Sequence, residues 1–195
     1  MKLLAIETST EACSVAVYAD GALHGRHELA PRRHTQLVLP WAEELLAEAG
    51  VAKTQLDAIA VGRGPGAFTG VRLGIALAQG LALALDRPLL PVSTLAVLAM
   101  QGPGEHLLAA IDARMGEVYA GRFGRDADGL VTACDEEILC PPATVPPPAT
   151  PVHGVGTGFA AEGGALVARL GERLLGFDAS ALPRAEDLAR LAVRA

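Results

Sequence analysis

The polar and apolar positions change period several times along the chain. "KLLAIE" (2–7) is a short apolar run closed by an acid and hydroxyls, and "ACSVAVY" (12–18) alternates as a half-buried strand does. Asp20-Gly21 reads as a hairpin turn into a third strand near 22–29, so the chain opens with an antiparallel meander. "HTQLVLPWAEELLAEAG" (34–50) then switches to a helical period. Leu37, Trp41 and Leu45 form one stripe with Val38 and Ala49 beside it, while Glu43, Glu44 and Glu48 face elsewhere. Gly50 is a natural stop, and Pro40 either kinks the helix or marks its first turn. "LDAIAVG" (56–62) predicts a buried strand, 68–86 a helix apolar almost all round, "PLLPVS" (88–93) a strand, and "TLAVLA" (94–99) the start of a helix.

The punctuation changes at "QGPGE" (101–105), which reads as a boundary. Beyond it, "HLLAAIDAR" and "GEVYAGRF" predict two strands, and "DADG" (126–129) a turn before a third. "CPPATVPPPATP" (140–151) excludes a helix or central strand and predicts an extended surface connection. "VHGVGTG" (152–158) reads as a strand ending in a glycine turn, and "PRAEDLARLAVRA" (183–195) as a final helix with Leu188, Leu191 and Ala192 on one face. No period suggests a solenoid.

Composition narrows the classes. A chain of 195 residues that is 51% hydrophobic can bury a substantial core. The net charge of −6 argues against the chain itself being a strong binder of nucleic acid or anionic membrane. Cys13, Cys134 and Cys140 make an odd count without C-x-x-C spacing, so neither a disulfide framework nor a zinc site is expected. The start lacks a signal peptide's apolar region and cleavage site. Arg72 interrupts the best candidate for a membrane span, so a soluble, cytoplasmic protein is expected.

The stretch "GRGPGAFTGVR" (62–72) could cradle an anion on glycine amides at a helix N-terminus. It lacks the P-loop lysine, however, and no G-x-G-x-x-G is in register. The alternative is structural, with Gly62, Gly64 and Gly66 supplying tight turns and Gly70 and Gly74 close packing. Gly70, Gly74 and Ala78 recur every four residues, so another helix can approach closely there. Leu73, Leu77, Leu81 and Leu85 lie along a different face. Such a helix is either a core helix or covered by another subunit. In "ETST", Glu7 and the hydroxyls of Thr8, Ser9 and Thr10 either face a metal-bound water and phosphate or satisfy hairpin backbone. The five histidines show no metal-ligand spacing, and His34 reads as a helix-cap feature. Asp112 and Arg114, with Glu117 and Tyr119, put charge at a turn between two apolar strands, which reads either as an intramolecular ion pair or as a substrate- or partner-facing cleft. Spacing alone yields neither a Ser-His-Asp nor a Cys-His arrangement.

Taken in order, "LLAIETSTEACSVAV", "HTQLVLP", "GRGPGAFTGVRLGIALAQGLA", "PVSTL", "AAIDARMGEVYAG" and "GVGTG" resemble the TsaB (YeaZ) family. That family supplies a bacterial subunit of the machinery making threonylcarbamoyladenosine in tRNA. The resemblance implies an α/β, actin-like (ribonuclease-H-like) ATPase fold of two lobes, each a mixed sheet with flanking helices. Residues 1–100 would form the first lobe, with the 183–195 helix packing back on it, and 101–182 the second. It further implies a non-catalytic partner of the catalytic paralogue TsaD, acting with the ATPase TsaE. TsaD modifies the anticodon-adjacent adenosine of tRNAs reading codons that begin with A. Such a chain homodimerises when alone and reaches tRNA only through the complex, without a membrane.

The catalytic relatives carry a metal-binding histidine pair where this chain reads "PLLPVSTLAVLA", so no metal ligands are expected. "ETST" also lacks the glycine of the kinases' first phosphate hairpin. No catalytic residue and no resident cofactor are therefore expected. Thr8, Ser9, Thr10, Gly64 and Gly66 are the candidates for weak nucleotide contact in the complex. In the family, helices resembling 34–49 and 68–86 build the partner interface, which maps onto Leu37, Trp41, Leu45, Gly70, Val71, Gly74, Leu77, Ala78 and Leu81. TsaB-like chains usually continue into a tail bearing Tyr-Leu-Arg, a stretch this sequence does not contain. The alternatives are an actin-like ATPase or small-molecule kinase acting alone and, third, a peptidase.

Overall fold

The computed structural model describes residues 1–194 and divides into two compact units, Met1–Val97 with the C-terminal segment from Pro183, and Leu98–Leu182. The division thus falls three residues before the boundary read from "QGPGE". In the first unit β1 (Lys2–Glu7), β2 (Ala12–Ala19) and β3 (Ala22–Leu29) form the antiparallel meander. The two-residue turn between β2 and β3 puts Asp20 and Gly21 at φ 48° and 102°, the positive angles a twist-matched hairpin needs. After α1 (His34–Glu48), β4 (Ala58–Gly62) pairs parallel to β1. After α2 (Phe68–Leu85), β5 (Leu89–Val92) pairs parallel to β4. The sheet order is β3-β2-β1-β4-β5.

Alternation along the strands separates two cores. Leu4, Ile6, Val15, Val17, Ile59 and Val61 pack with Val38, Leu45, Ala78 and Ala82 of α1 and α2. Leu3, Ala5, Ala16, Ala58 and Ala60 pack with α5 (Ala185–Ala192) and with Val97 of α3 (Thr94–Ala99). The alanines on that face let α5 lie close to the sheet. Pro40 falls inside α1 on an exposed position, so the helix runs through it rather than starting there.

The second unit repeats the connectivity. β6 (His106–Arg114), β7 (Glu117–Arg125) and β8 (Val131–Ala133) form an antiparallel meander, with β9 (Ile138–Cys140) also pairing β7. β10 (Val152–Val155) runs parallel to β6, and β11 (Leu174–Asp178) parallel to β10 across α4 (Ala165–Leu170). The order is β11-β10-β6-β7-β8. A meander followed by two parallel crossover strands, made twice, is the ribonuclease-H-like arrangement.

The proline-rich connection departs from the extended form expected of it. Pro142–Thr144 make one 3-10 turn, and Pro142, Val145 and Pro148 are buried. Two arginines fasten the segment: Arg169 Nε donates to Val145 O at 3.0 Å, and Arg173 donates to the carbonyls of Pro148 and Ala149.

Candidate functional site

The glycine loop packs against the end of β1. A side chain on Gly62 would overlap the Glu7 carboxyl, one on Gly66 the Ser9 carbonyl, and one on Gly70 the Thr8 carbonyl. Close approach of two backbones is therefore what these glycines permit. The loop's polar groups are spent on the same contact. Ala67 N donates to Ser9 O at 2.7 Å, Gly64 N to Thr94 Oγ1 at 3.2 Å, and Thr94 N to Gly64 O at 2.9 Å. Thr8 Oγ1 donates to Gly70 O at 2.8 Å. An anion cradle needs amides that point outward and unpaired; here Gly64 N and Ala67 N are already committed.

Glu7 lies at the centre and is buried. Its Oε1 accepts from Ser9 N at 2.7 Å, and Thr94 Oγ1 sits 3.4 Å from Oε2 and 3.0 Å from Ser9 Oγ. Burial raises its pKa above the ordinary carboxylate value, and the hydrogen bonds from Ser9 and Thr94 offset only part of that shift. Of the five residues singled out for nucleotide contact, Thr8, Ser9, Gly64 and Gly66 thus meet one another or the loop. Thr10 stands apart, its Oγ1 accepting from Ala12 N at 3.3 Å to close the turn into β2. Ser93 caps α3 by accepting from Leu95 N and Ala96 N.

α2 presents two small-residue stripes, and the one singled out from sequence faces inward. Gly70, Gly74, Ala78 and Ala82 are its buried residues. An added Cβ on Gly74 would stand 2.5 Å from Thr8 Oγ1 and 3.6 Å from Val61 Cγ2. Gly70 and Gly74 therefore meet the helix's own sheet, and Ala78 and Leu45 of α1 are enclosed in the same core, each at 0% exposure. Leu37, Trp41, Leu77 and Leu81 pack part of their surface on that core and keep the rest open, and Val71 is half-buried. The outward stripe is Ala76, Gly80 and Ala84, with Phe68 72% and Leu83 85% exposed beside it. Arg72 lies over the Phe68 ring at 3.4 Å. By length and composition this helix could cross a membrane, with Arg72 as the charge inside it, and its inner stripe is occupied by the sheet.

Residues 26–153 match the family model described as TsaD, tRNA N6-adenosine threonylcarbamoyltransferase. The Escherichia coli K12 protein named tRNA threonylcarbamoyladenosine biosynthesis protein TsaB is 44% identical over 206 residues, which cover 98% of this chain and 86% of that one. The Haemophilus influenzae protein of the same name is 48% identical over 65% of this chain and 55% of its own. The solved structure of YeaZ from Pseudomonas aeruginosa superposes with a TM-score of 0.89 at 47% identity, covering 99% of this chain and 91% of that one. The chain belongs to the TsaB (YeaZ) family. Its two units accordingly carry the family's actin-like fold.

The remaining candidates of this TsaB-family chain have structural partners. His34 is no cap: it begins α1 and is buried, with Nε2 3.0 Å from Thr10 O and 3.1 Å from Ala12 O, so that nitrogen's hydrogen ties the β1–β2 turn to the helix. Asp112 accepts from Arg114 N at 2.8 Å and pairs with its guanidinium at 3.0 Å, the intramolecular ion pair that the charge at this turn suggested. Burial, then the charge of Glu28, pushes the Cys13 thiol up to about 12, which keeps it an unreactive thiol. Among the described residues no group of three or more His, Cys, Asp or Glu is placed to hold a metal ion. Sequence reasoning missed the outward stripe on α2. Its signal was present, since Ala76, Gly80 and Ala84 have the same spacing as the inward set.

Proposed function

We propose that this chain is the non-catalytic partner subunit in the biosynthesis of tRNA threonylcarbamoyladenosine. It docks a TsaD-like catalytic paralogue through the outer face of α2, acts with a TsaE-like ATPase, and meets tRNA only through that complex. The role in this biosynthesis rests on the family. The docking face rests on one observation: an 18-residue apolar helix leaves Ala76, Gly80, Leu83 and Ala84 exposed. Small side chains there let a partner helix approach at the short end of the usual 8–10 Å range. Leu83 and the Phe68–Arg72 stack flank the stripe, and the half-open Leu37 and Trp41 of α1 extend the apolar surface. A second copy of the chain would use the same face when the paralogue is absent.

The reading as a kinase or ATPase acting alone has no observation in its favour, because the loop amides that would hold phosphate close on Ser9 and Thr94. Burying Leu83 at such an interface contributes about 2 kcal/mol, or about 30-fold in affinity. Co-purification with the tagged catalytic paralogue tests the proposal. Leu83→Glu and Gly80→Arg are expected to abolish capture, with the unfolding temperature within a degree or so of wild type for Leu83→Glu and about 2–4 °C above it for Gly80→Arg. Capture at native affinity by both variants would sink this placement.

A further inference from the structure

The second unit holds a cleft that the partner-subunit role does not use. It lies between the β7 face of the sheet and the proline-rich segment, with a volume of about 360 Å³. Leu108, Ala120, Ile138 and Val145 give it apolar walls. Gly121 and Pro146 complete the lining. The outer wall is held in place by the Arg169 and Arg173 bonds to the carbonyls of 145, 148 and 149, so the space does not depend on a loose loop. A volume of several hundred Å³ with apolar walls and a few convergent polar groups is the usual form of a small-molecule site.

The polar groups are specific. Arg122 and Asp135 line both this cleft and a second one of about 300 Å³, so their ion pair stands where the two meet. Their side chains are about one-third exposed, at 36% and 33%. Arg122 spends Nε and Nη2 on a single carboxylate oxygen, Asp135 Oδ2. Among the described residues that leaves Arg122 Nη1 as a donor and Asp135 Oδ1 as an acceptor, and the exposed Glu136 also lines the cleft.

We propose that this cleft binds a small zwitterion, a free α-amino acid with an aliphatic side chain. Its carboxylate takes Arg122 Nη1 and its ammonium takes Asp135 Oδ1 and Glu136. The charges of Arg122, Asp135 and the ligand's two groups then alternate in sign, and Glu136 adds a second acid for the ammonium, without the protein's own ion pair breaking. The aliphatic side chain fills the space between Leu108, Ile138 and Val145. An anion alone meets net negative charge there, and a cation alone leaves Arg122 Nη1 unused, so one molecule carrying both charged groups on one carbon suits the site best.

The test titrates the full chain with L-leucine, following amide shifts by NMR, beside isoamylamine and 4-methylpentanoate, which carry one charge each. Saturable leucine binding that moves residues 108, 120 and 138 is expected, with each half-molecule weaker by about tenfold or more. Arg122→Gln is expected to lose leucine binding to a similar degree. Glu136→Gln, an exposed change that leaves the fold alone, is expected to weaken leucine and isoamylamine but not 4-methylpentanoate. Isoamylamine binding as tightly as leucine would reduce the site to a cation patch and overturn the proposal. Shifts that never saturate, that map elsewhere, or that are indifferent to Glu136→Gln would overturn it as well.

Discussion

Two glycines ten residues apart on α2 should respond to the same substitution with opposite signs. Gly70→Ala places a methyl group into the Thr8 carbonyl, with the Thr8 carbonyl carbon at 3.3 Å and Ser9 Cα at 3.7 Å behind it. All of these are backbone atoms, and the Ala67 N–Ser9 O and Thr8 Oγ1–Gly70 O bonds fix them. Overpacking costs about 1–3 kcal/mol, and a rigid backbone neighbour puts this site near the upper end. Replacing a helical glycine returns about 1 kcal/mol, leaving a net loss of about 2. For a protein this size each kcal/mol moves the midpoint by about 2–4 °C, so a fall of about 4–8 °C is expected. Gly80→Ala meets nothing within 4 Å, so the helix gain stands alone and the midpoint should rise by about 2–4 °C. Calorimetry at equal protein concentration, with gel filtration to hold the oligomeric state constant, reads both. Gly70→Ala at or above wild type, or both variants moving the same way, would refute the assignment of inner and outer faces.

Other groups carry pH signatures. Glu7 has a raised pKa in the folded state, so the folded chain binds that proton more tightly than the unfolded one. The cost of ionising it is absent below the ordinary value of 4.5 and grows as pH rises toward the folded value. Glu7→Gln should therefore gain stability relative to wild type as pH is raised from 4.5 to 8; a difference that does not change with pH contradicts this. His27, on β3 facing α5, has its pKa lowered first by burial and then by Arg184, with Glu186 opposing. Stability should fall as pH drops through the ordinary 6.5, and His27→Gln should lose less between pH 7 and 5. Denaturant midpoints at each pH check this, and equal losses would contradict it.

Much of the fold could be read from local signals. A short apolar run located β1, alternation located β2, Asp20-Gly21 marked its turn, and the helical period of 34–50 marked α1 because its glutamates label the outer face. α2 has no such label. Small residues recur every four positions on both of its sides, and only contact with Thr8, 62 residues away from Gly70 in sequence, distinguishes them. Glu7 was misleading for a related reason: an acid at the end of a strand ordinarily faces water, and its burial depends on Gly62, Ser9 and Thr94 meeting around it. His34 followed the same rule, its partners lying on the β1–β2 turn. β9, α4 and β11 are short, with three, six and five residues, and carry too few alternations or turns for a period to show.

The central claim is that the outer face of α2 supports threonylcarbamoyladenosine formation. The most direct measurement is a mass-spectrometric nucleoside profile of tRNA from cells depleted of this protein and complemented with wild type, Leu83→Glu or Gly80→Ala. The account predicts that the modification returns with wild type and with Gly80→Ala and stays absent with Leu83→Glu, although all three proteins are folded and equally abundant. Full restoration by Leu83→Glu, or a modification that persists at normal levels after depletion, would contradict it.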